Sequence, residues 1–449
     1  MKNFTVSDAA KACGAVIIDG GNSVQLLGKV VIDSRLVEPG DLFVAYKGER
    51  VDGHDYVPVA FEKGAACCLV EREVDNAAGT LLLVRDVQKA LEDIAKVYRD
   101  SLDIPIVGVT GSVGKTTAKE MVSAVLSRRM NVLKTDKNFN NQIGVPMTLS
   151  RIGAEHDAAV VEMGISGFGE MDLLATMARP TIGLFTFIGH AHLEFLGDLD
   201  GVLRAKTEMI PHMPADGVVV INGDDEKLRT ICCVQRIVSF GLGEDCDVRA
   251  VDVRTLPDGC SACRIISGDR SFEVYIPAYG EHMVYAALEG AAVGMLMGLS
   301  DAEIIAGIAD YHTVGRRGVV TNTGHVCLVD DSYNSNPDSL RCAIDSLVKL
   351  PGRHICISSD MLEQGEGGDV IHASVGEYAV EKGVDLVLCC GALSYHTAAA
   401  AGDKGRYFES KAELIAALPG LIEKGDSVLV KASMSMHMEE VAEALKLLQ

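Results

Sequence analysis

The stretch VGVTGSVGKTTAKE, from Val107 to Glu120, contains the residue types that bind a nucleotide phosphate. The N–H groups of a glycine-rich turn, the positive end of a helix and the charge of Lys115 can together surround a phosphate, and the Thr116 hydroxyl can bind Mg²⁺. The common pattern places a glycine five residues before the glycine of GK[ST], where this chain has Val109. Close approach needs glycine only at positions 111 and 114, both of which are glycine, so we predict a phosphate-binding loop.

Two motifs further along the chain offer an acid and imidazole groups. VVEMG ends an apolar, strand-like run at Glu162, and an acid at the carboxyl end of a neighbouring strand is placed to hold a metal-bound nucleotide. In GHAHLE, His190 and His192 can face one way on an extended segment, with Glu194 beside them. This pattern predicts His192 as a metal ligand or phosphate contact. A solvated glutamate and packed histidines are the plainer alternatives.

The elements that must position these residues fall into three segments. Short apolar runs broken by turn signals, with a helix-like stretch over Tyr56–Lys63, predict a small α/β domain over residues 1–85. Over 86–313, the apolar runs IPIVGV, DAAVVEM, TIGLFTFI and GVVVIN alternate with helical stretches, the first over Lys115–Arg129. This alternation predicts a mostly parallel, doubly wound sheet, and it restarts over 314–449 as a second α/β unit.

Composition limits the class of protein. A chain of 449 residues is long enough for about three domains, and its formal net charge of −22 argues against a nucleic-acid partner. The N-terminus lacks the apolar core of a signal peptide, and no apolar run is long enough to cross a bilayer, so we expect a cytoplasmic chain without membrane insertion. Its 13 cysteines are then reduced, and the isolated pair Cys260 and Cys263 does not predict a zinc site.

The motifs occur as a series of short strings in a fixed order. The series consists of DSR (Asp33–Arg35), PGDLFVAYKGERVDGHDY, TGSVGKT, NFNNQIGVP (Asn138–Pro146), EMG, AHLE, AKTE, NGDD (Asn222–Asp225), GRR and DDSYNSNPDS (Asp330–Ser339). Together these strings resemble the Mur ligases of peptidoglycan synthesis over essentially the whole chain. The last string is the most specific.

The resemblance implies a fold, an activity and a set of ligands. It implies an N-terminal UDP-sugar-binding domain, a central ATP-binding domain with a phosphate loop and a C-terminal Rossmann-like ligase domain. The implied reaction is the ATP-dependent addition of D-alanyl-D-alanine to UDP-N-acetylmuramoyl-tripeptide through an acyl phosphate. Two Mg²⁺ ions and a monomeric enzyme complete the expectation.

The resemblance also implies residue roles. Catalysis would fall to Lys115, Lys206, His192 and Arg316, with Arg316 approaching the γ-phosphate. Mg²⁺ would be held by Thr116, Glu162, His192 and a carbamylated Lys206; from its own sequence context Lys206 is only a solvated helix lysine. The nucleotide would be bound by Gly111, Ser112, Gly114, Lys115, Thr116, Thr117, Asn138, Asn141, His282 and Asp331. Substrate would contact Ser34, Arg35, Asn334 and Asn336.

Several positions depart from the family pattern. The family element GxHNxxNALAA reads GEHMVYAALEG, so that Ala286 replaces an asparagine that would help hold the adenine. The other replacements are Phe187 for Asn, Ser359 for Gly, Ala432 for Gly and Met434 for Arg. These changes leave two alternatives open: a related ligase with a different amine or acid, and a non-catalytic relative that binds ligand. A GTPase fits less well because the chain has no Asn-Lys-x-Asp string.

Overall fold

Within residues 1–18, 23–48, 51–75, 77–256 and 259–448, which the computed structural model describes, the strands form three separate sheets. The first sheet has the strand order β1-β5-β4-β3-β2, with β2 to β5 parallel and β1 antiparallel to β5. Its strands are β1 Val16–Ile18, β2 Val30–Val31, β3 Leu42–Val44, β4 Cys67–Val70 and β5 Thr80–Leu83. The helices of this region are α1 Val6–Cys13, α2 Val57–Glu62 and α3 Val87–Asp100.

The second sheet carries the predicted phosphate loop. Its order is β14-β13-β12-β11-β10-β9-β6-β8-β7, parallel from β7 to β12, and then antiparallel through β13 and β14. The strands are β6 Ile106–Thr110, β7 Val132–Lys134, β8 Ala158–Glu162, β9 Ile182–Phe185, β10 Val218–Asn222, β11 Arg236–Gly241, β12 Val248–Thr255, β13 Cys260–Ser267 and β14 Arg270–Tyr279. The sequence did not predict the antiparallel hairpin at the β14 edge.

Helices cover both faces of this sheet. They are α4 Lys115–Leu126, α5 Gly144–Ser150, α6 Glu170–Ala178, α7 Leu193–Leu196, α8 Leu199–Thr207, α9 Met283–Leu296 and α10 Asp301–Ala309. One apolar core joins α4 and α9 to one face through Val109 and Val220, and the other joins α8 to the opposite face through Phe185 and Val219. The predicted helix to Arg129 stops earlier, because the amides of Arg128 and Arg129 bond three residues back in a tightened last turn.

The third sheet has the order β15-β16-β20-β17-β18-β19, with only β15 antiparallel. Its strands are β15 Val319–Asn322, β16 Cys327–Asp331, β17 His354–Ser359, β18 Leu386–Cys390, β19 Gly405–Phe408 and β20 Ser427–Lys431. The helices are α11 Pro337–Leu347, α12 Gly368–Glu381, α13 Ser394–Ala400, α14 Lys411–Leu421 and α15 Glu439–Lys446. The predicted α/β class and three sheet-containing regions are confirmed. The boundaries at residues 85 and 313 stay predictions.

Candidate active site

The strand order places three motifs at one edge of the second sheet. β6 lies between β8 and β9, although β8 and β9 follow it in sequence, so the connections leave β6 in opposite directions. Ligands of open parallel sheets bind at such a switch point, beyond the carboxyl ends of the strands. Here the glycine-rich loop follows β6, Glu162 ends β8, and GHAHLE follows β9. The three motifs therefore meet around one point.

The loop after β6 has the backbone that its glycines allow. Gly111 and Gly114 have φ values of 154° and 87°, and a Cβ on Gly111 would lie 1.9 Å from the Thr186 hydroxyl oxygen. The helix α4 begins at Lys115, whose Nζ donates to the Gly111 carbonyl at 2.7 Å. Burial lowers the pKa of Lys115, while the nearby carboxylate of Glu162 opposes this shift.

Glu162 is almost fully buried at the end of β8 and is only partly satisfied. Its Oε1 accepts hydrogen bonds from the Thr116 hydroxyl at 3.2 Å and from Asn140 Nδ2 at 2.9 Å. Its Oε2 has no hydrogen-bond partner among the described residues, and Lys119 Nζ lies 3.8 Å from it. A buried carboxylate oxygen without a hydrogen bond is costly, which points to a missing cation or donor.

Lys206 and His192 lie near Lys115, close enough for its charge to act on both side chains. Lys206 in α8 is 1% exposed, and its Nζ has no hydrogen-bond partner among the described residues. Burial, with a contribution from the charge of Lys115, lowers the pKa of Lys206 well below its usual value. His192 has a left-handed backbone (φ 57°), and its Nδ1 lies 2.5 Å from Glu363 Oε2. Burial lowers the pKa of His192, although Glu363 opposes the shift.

One cavity of about 930 Å³ lies between the second and third sheet regions and takes in most of the predicted site residues. Its wall includes the predicted residues Ser112, Gly114, Lys115, Thr116, Thr117, Asn138, Asn141, Glu162, His192, His282, Asp331, Asn334 and Asn336. Three of these residues also make hydrogen bonds that stabilise the local fold. Asn141 and Asn336 accept backbone N–H bonds at the starts of α5 and α11, and the Asn334 carbonyl accepts from Lys431 Nζ at 2.9 Å.

The remaining predicted residues lie outside this wall. Gly111 and Lys206 lie directly behind it, because Gly111 bonds Lys115 and Lys206 is near enough to feel its charge. Arg316 is 3.5 Å from both Asp330 and Glu443, which hold its guanidinium within the third sheet region. The predicted substrate residues Ser34 and Arg35 belong to the first sheet region.

The structure adds basic residues that the sequence analysis did not select. Arg317 lines the cavity, lies 3.9 Å over the ring of Tyr333, and lowers the pKa of Lys115 by its charge. Lys431, at the end of β20, also lines the cavity and pairs with Asp331 at 2.6 Å. Arg317 is the last residue of GRR, and Lys431 directly precedes Ala432, but the sequence could not show that these two residues line the cavity.

The positions that depart from the family pattern have separate structural outcomes. The Ser359 hydroxyl donates to the Cys390 carbonyl, and Ala432 is fully buried, so both residues are accommodated in the interior of the third sheet region. Phe187, Ala286 and Met434 line the cavity and change its chemistry directly.

Comparison with known proteins agrees with this arrangement. Three family models match: "Mur ligase family, catalytic domain" over residues 28–99, "Mur ligase middle domain" over 109–294, and "Mur ligase, glutamate ligase domain" over 315–434. The UDP-N-acetylmuramoyl-tripeptide--D-alanyl-D-alanine ligase of Bacillus subtilis (strain 168) is 33% identical over 451 residues, 98% of each chain. The enzyme of that name from Escherichia coli (strain K12) is 36% identical over 427 residues, 94% of each chain. The chain belongs to the Mur ligase family.

Solved structures place this Mur ligase near one branch of the family. A crystal structure of MurF from Acinetobacter baumannii superposes with a TM-score of 0.91 at 30% identity, covering 99% of this chain and 98% of the other. MurF ligase from Thermotoga maritima in complex with ADP superposes with a TM-score of 0.83 at 29% identity, covering 94% and 98%. No helix in the described part of this Mur ligase combines the length and apolar character that a membrane span needs.

Proposed function

We propose that this chain joins D-alanyl-D-alanine to UDP-N-acetylmuramoyl-tripeptide at the expense of ATP. The observation that carries the proposal is the convergence of three features beside one cavity: the phosphate loop, and the Glu162 oxygen and Lys206 amine that lack hydrogen-bond partners among the described residues. The relatives named for this activity align along nearly their whole length, which supports the same reaction here.

The reaction needs an activated acid, because a carboxylate and an amine do not condense in water. The terminal carboxylate of the tripeptide attacks the γ-phosphorus of ATP, the bond to the bridging oxygen breaks, and ADP leaves. The amine of D-alanyl-D-alanine then attacks the acyl carbon, loses a proton, and displaces inorganic phosphate. The sum is acid plus amine plus ATP giving amide, ADP and phosphate.

The residues of the loop stabilise charge on the transferring phosphoryl group. The N–H groups at the start of α4 and the Lys115 ammonium face the place where negative charge is spread over the phosphoryl oxygens. Arg317 lies on the same wall and supplies a second positive group from the third sheet region. In this arrangement Arg317, rather than the predicted Arg316, is the arginine closest to that task, since Asp330 and Glu443 hold Arg316.

The donor set fits Mg²⁺. Glu162 Oε2 has no hydrogen bond from the part of the chain that the structure describes, and the Thr116 hydroxyl lies beside the same carboxylate, so two oxygen ligands are ready for a hard cation. Among the described residues no three His, Cys, Asp or Glu side chains cluster as a metal site. Additional ligands must therefore come from His192, from the phosphates, or from modification of Lys206. Mg²⁺ would neutralise phosphate charge during the transfer.

Lys206 has the environment that carbamylation needs. CO₂ reacts with a neutral amine, giving a carbamate and a proton, and burial keeps the amine of Lys206 from being protonated. Its Nζ has no competing hydrogen bond among the described residues. Carbamylation would convert the neutral amine into an anionic oxygen ligand, which removes the cost of burying a lone amine.

The remaining assignments belong to the same proposal. Ser34 and Arg35 in the first sheet region contact the UDP-sugar, while Asn334 and Asn336 in the cavity contact the peptide or amine. Asn138, Asn141, His282 and Asp331 lie near the nucleotide. The enzyme acts in the cytoplasm, where ATP is supplied, and as a monomer, as the family resemblance implies.

The test is a reconstituted reaction. Purified protein is given ATP, Mg²⁺, UDP-N-acetylmuramoyl-tripeptide and D-alanyl-D-alanine, and released phosphate and product mass are followed together. A product with the pentapeptide mass, lost on chelation of Mg²⁺, supports the proposal. Phosphate release only with another amine or acid indicates a ligase with a different substrate. Ligand binding without turnover indicates a non-catalytic relative.

A further inference from the structure

Glu289 is a buried acid on the cavity wall that the proposed reaction does not use. It is 4% exposed, in the middle of α9, and its carboxyl group makes no hydrogen bond or ion pair with any described residue. Burial alone raises its pKa well above the usual value, with no charged neighbour contributing. A neutral carboxylic acid has one donor and free acceptor positions, so this side chain is an unused hydrogen-bonding group.

The position of α9 relates Glu289 to the phosphate loop. α9 packs directly on α4, because a Cβ on Gly290 would lie 3.0 Å from the side chains of both Met121 and Val125. α9 covers the face of the sheet formed by β10 to β14. Glu162 ends β8, on the other side of β6, and Lys206 belongs to α8, which packs on the opposite face. Glu289 therefore lies away from the metal end of the site.

A nucleotide bound at this loop has a defined direction. If the γ-phosphate faces Glu162 and Lys206, the ribose and base must extend away from them, along the wall formed by α9. The side chains one and two turns before Glu289 on this wall are Ala286 and Met283, both apolar. A flat base fits between apolar groups, and its polar edge needs a hydrogen-bonding partner at the end.

The chemistry of Glu289 favours a base over an ammonium group. An ammonium ion would pair with an ionised carboxylate, and burial among uncharged groups opposes that form. A neutral acid instead offers adjacent acceptor and donor oxygens. These match the edge of adenine, where an amino group donates and the adjoining ring nitrogen accepts.

We propose that Glu289 determines nucleotide specificity by accepting a hydrogen bond from the exocyclic amino group of adenine and donating one to the adjoining ring nitrogen. The inference rests on the proposed function only in taking the loop as the site of an adenosine triphosphate. It assigns to this chain a base-reading residue one helical turn after Ala286, whose methyl group offers the ligand no hydrogen bond.

The test compares two nucleotides by calorimetry in the absence of the other substrates. ATP and purine riboside 5′-triphosphate, which lacks the 6-amino group, are titrated into wild type, Glu289→Gln and Glu289→Met. Wild type is expected to bind ATP about tenfold more tightly, the effect of one buried hydrogen bond. Glu289→Gln should keep this preference because its amide has the same donor and acceptor pair. Glu289→Met, of similar volume, should lose it.

The controls separate this inference from fold effects and from the ligase reaction. Glu377→Ala, at an exposed position of α12, should leave the preference unchanged, and UDP-sugar binding should survive in every variant. Equal preference in wild type and Glu289→Met, or absence of ATP binding to wild type, would overturn the inference. If ATP is preferred through Glu289 but no peptide product forms, the inference stands and the proposed function fails.

Discussion

At the residue scale, Lys206 and Glu289 are buried ionisable groups without partners among the described residues, which folding alone does not favour. Both lie at the candidate active site, Glu289 on the cavity wall and Lys206 directly behind it. Such positions are retained when a ligand or a modification supplies the missing partner.

Lys206→Met should therefore raise stability while removing turnover. In protein whose Lys206 is not carbamylated, methionine replaces a buried amine that has no hydrogen bond from the described residues, and relief of about 1–3 kcal/mol is expected. The measurements are the free energy of unfolding in urea and the rate of phosphate release. Lys96→Met, exposed on α3, is the matched control and should keep wild-type turnover. Full turnover of Lys206→Met would exclude Lys206 from the metal site.

Glu289→Gln should show a pH-dependent gain in stability. The pKa of Glu289 is raised on folding, so the unfolded chain loses this proton above its ordinary pKa of about 4.5 while the folded chain keeps it. Wild type consequently loses stability relative to Glu289→Gln as the pH rises from about 4.5 towards the folded pKa. Urea unfolding at pH 5.5 and 8 should give a larger difference at pH 8. A difference of the same size at both would contradict the buried neutral acid.

At the scale of the element, the loop after β6 and the start of α4 together form the proposed phosphate-binding site. The φ values at Gly111 and Gly114 aim the backbone, the start of the helix supplies N–H groups, and Lys115 adds charge at the first helical position. Among the described residues, the cavity wall that contains Lys115 includes none from the first sheet region, where the residues proposed to bind the UDP-sugar lie.

Lys115→Ala should thus separate the two binding events. Product formation should fall at least about a thousandfold, because the substitution removes the positive charge of Lys115 that stabilises the transferring phosphoryl group. Binding of UDP-N-acetylmuramoyl-tripeptide, measured by calorimetry, should change less than about twofold, since distant sites act independently. Wild-type turnover in this variant would refute the assignment of the loop.

At the scale of the whole molecule, α11 and the loop after β17 bring the third sheet region onto the GHAHLE segment. Asp338 in α11 accepts from the His190 backbone N–H at 2.6 Å and lies 3.1 Å from its ring, while Glu363 contacts His192. Arg317, Asp331 and Lys431 line the same cavity as the loop. The candidate site therefore depends on the contact between the second and third sheet regions.

Asp338→Ala should lower turnover by about tenfold or more by weakening this contact, with little effect on binding of ATP alone. Asp345→Ala is the matched control, because Asp345 lies on the same helix but bonds Tyr378 and Lys382 within its own region. It should leave turnover close to wild type. Equal loss in both variants would mean that α11 is merely destabilised.

The sequence by itself determined the α/β class and the family, and it predicted the phosphate loop and Glu162, because each depends on short strings whose spacing fixes local backbone geometry. Glycines at 111 and 114 permit their positive φ values wherever the chain goes, and a strand followed by a helix at Lys115 is a local property. The loop could thus be identified without knowing its surroundings.

Only the tertiary structure decided which groups lose water and which line the cavity. The sequence could not show whether Arg316 or Arg317 lines the cavity. In an irregular segment, the direction of neighbouring side chains depends on tertiary contacts, such as those of Arg316 with Asp330 and Glu443. Nor could it show that Lys206 and Glu289 are buried without partners among the described residues, since hydration depends on elements far apart in the chain. Burial lowers the pKa of Lys206 and raises that of Glu289, so the ionisation of both groups depends on how the sheets pack together.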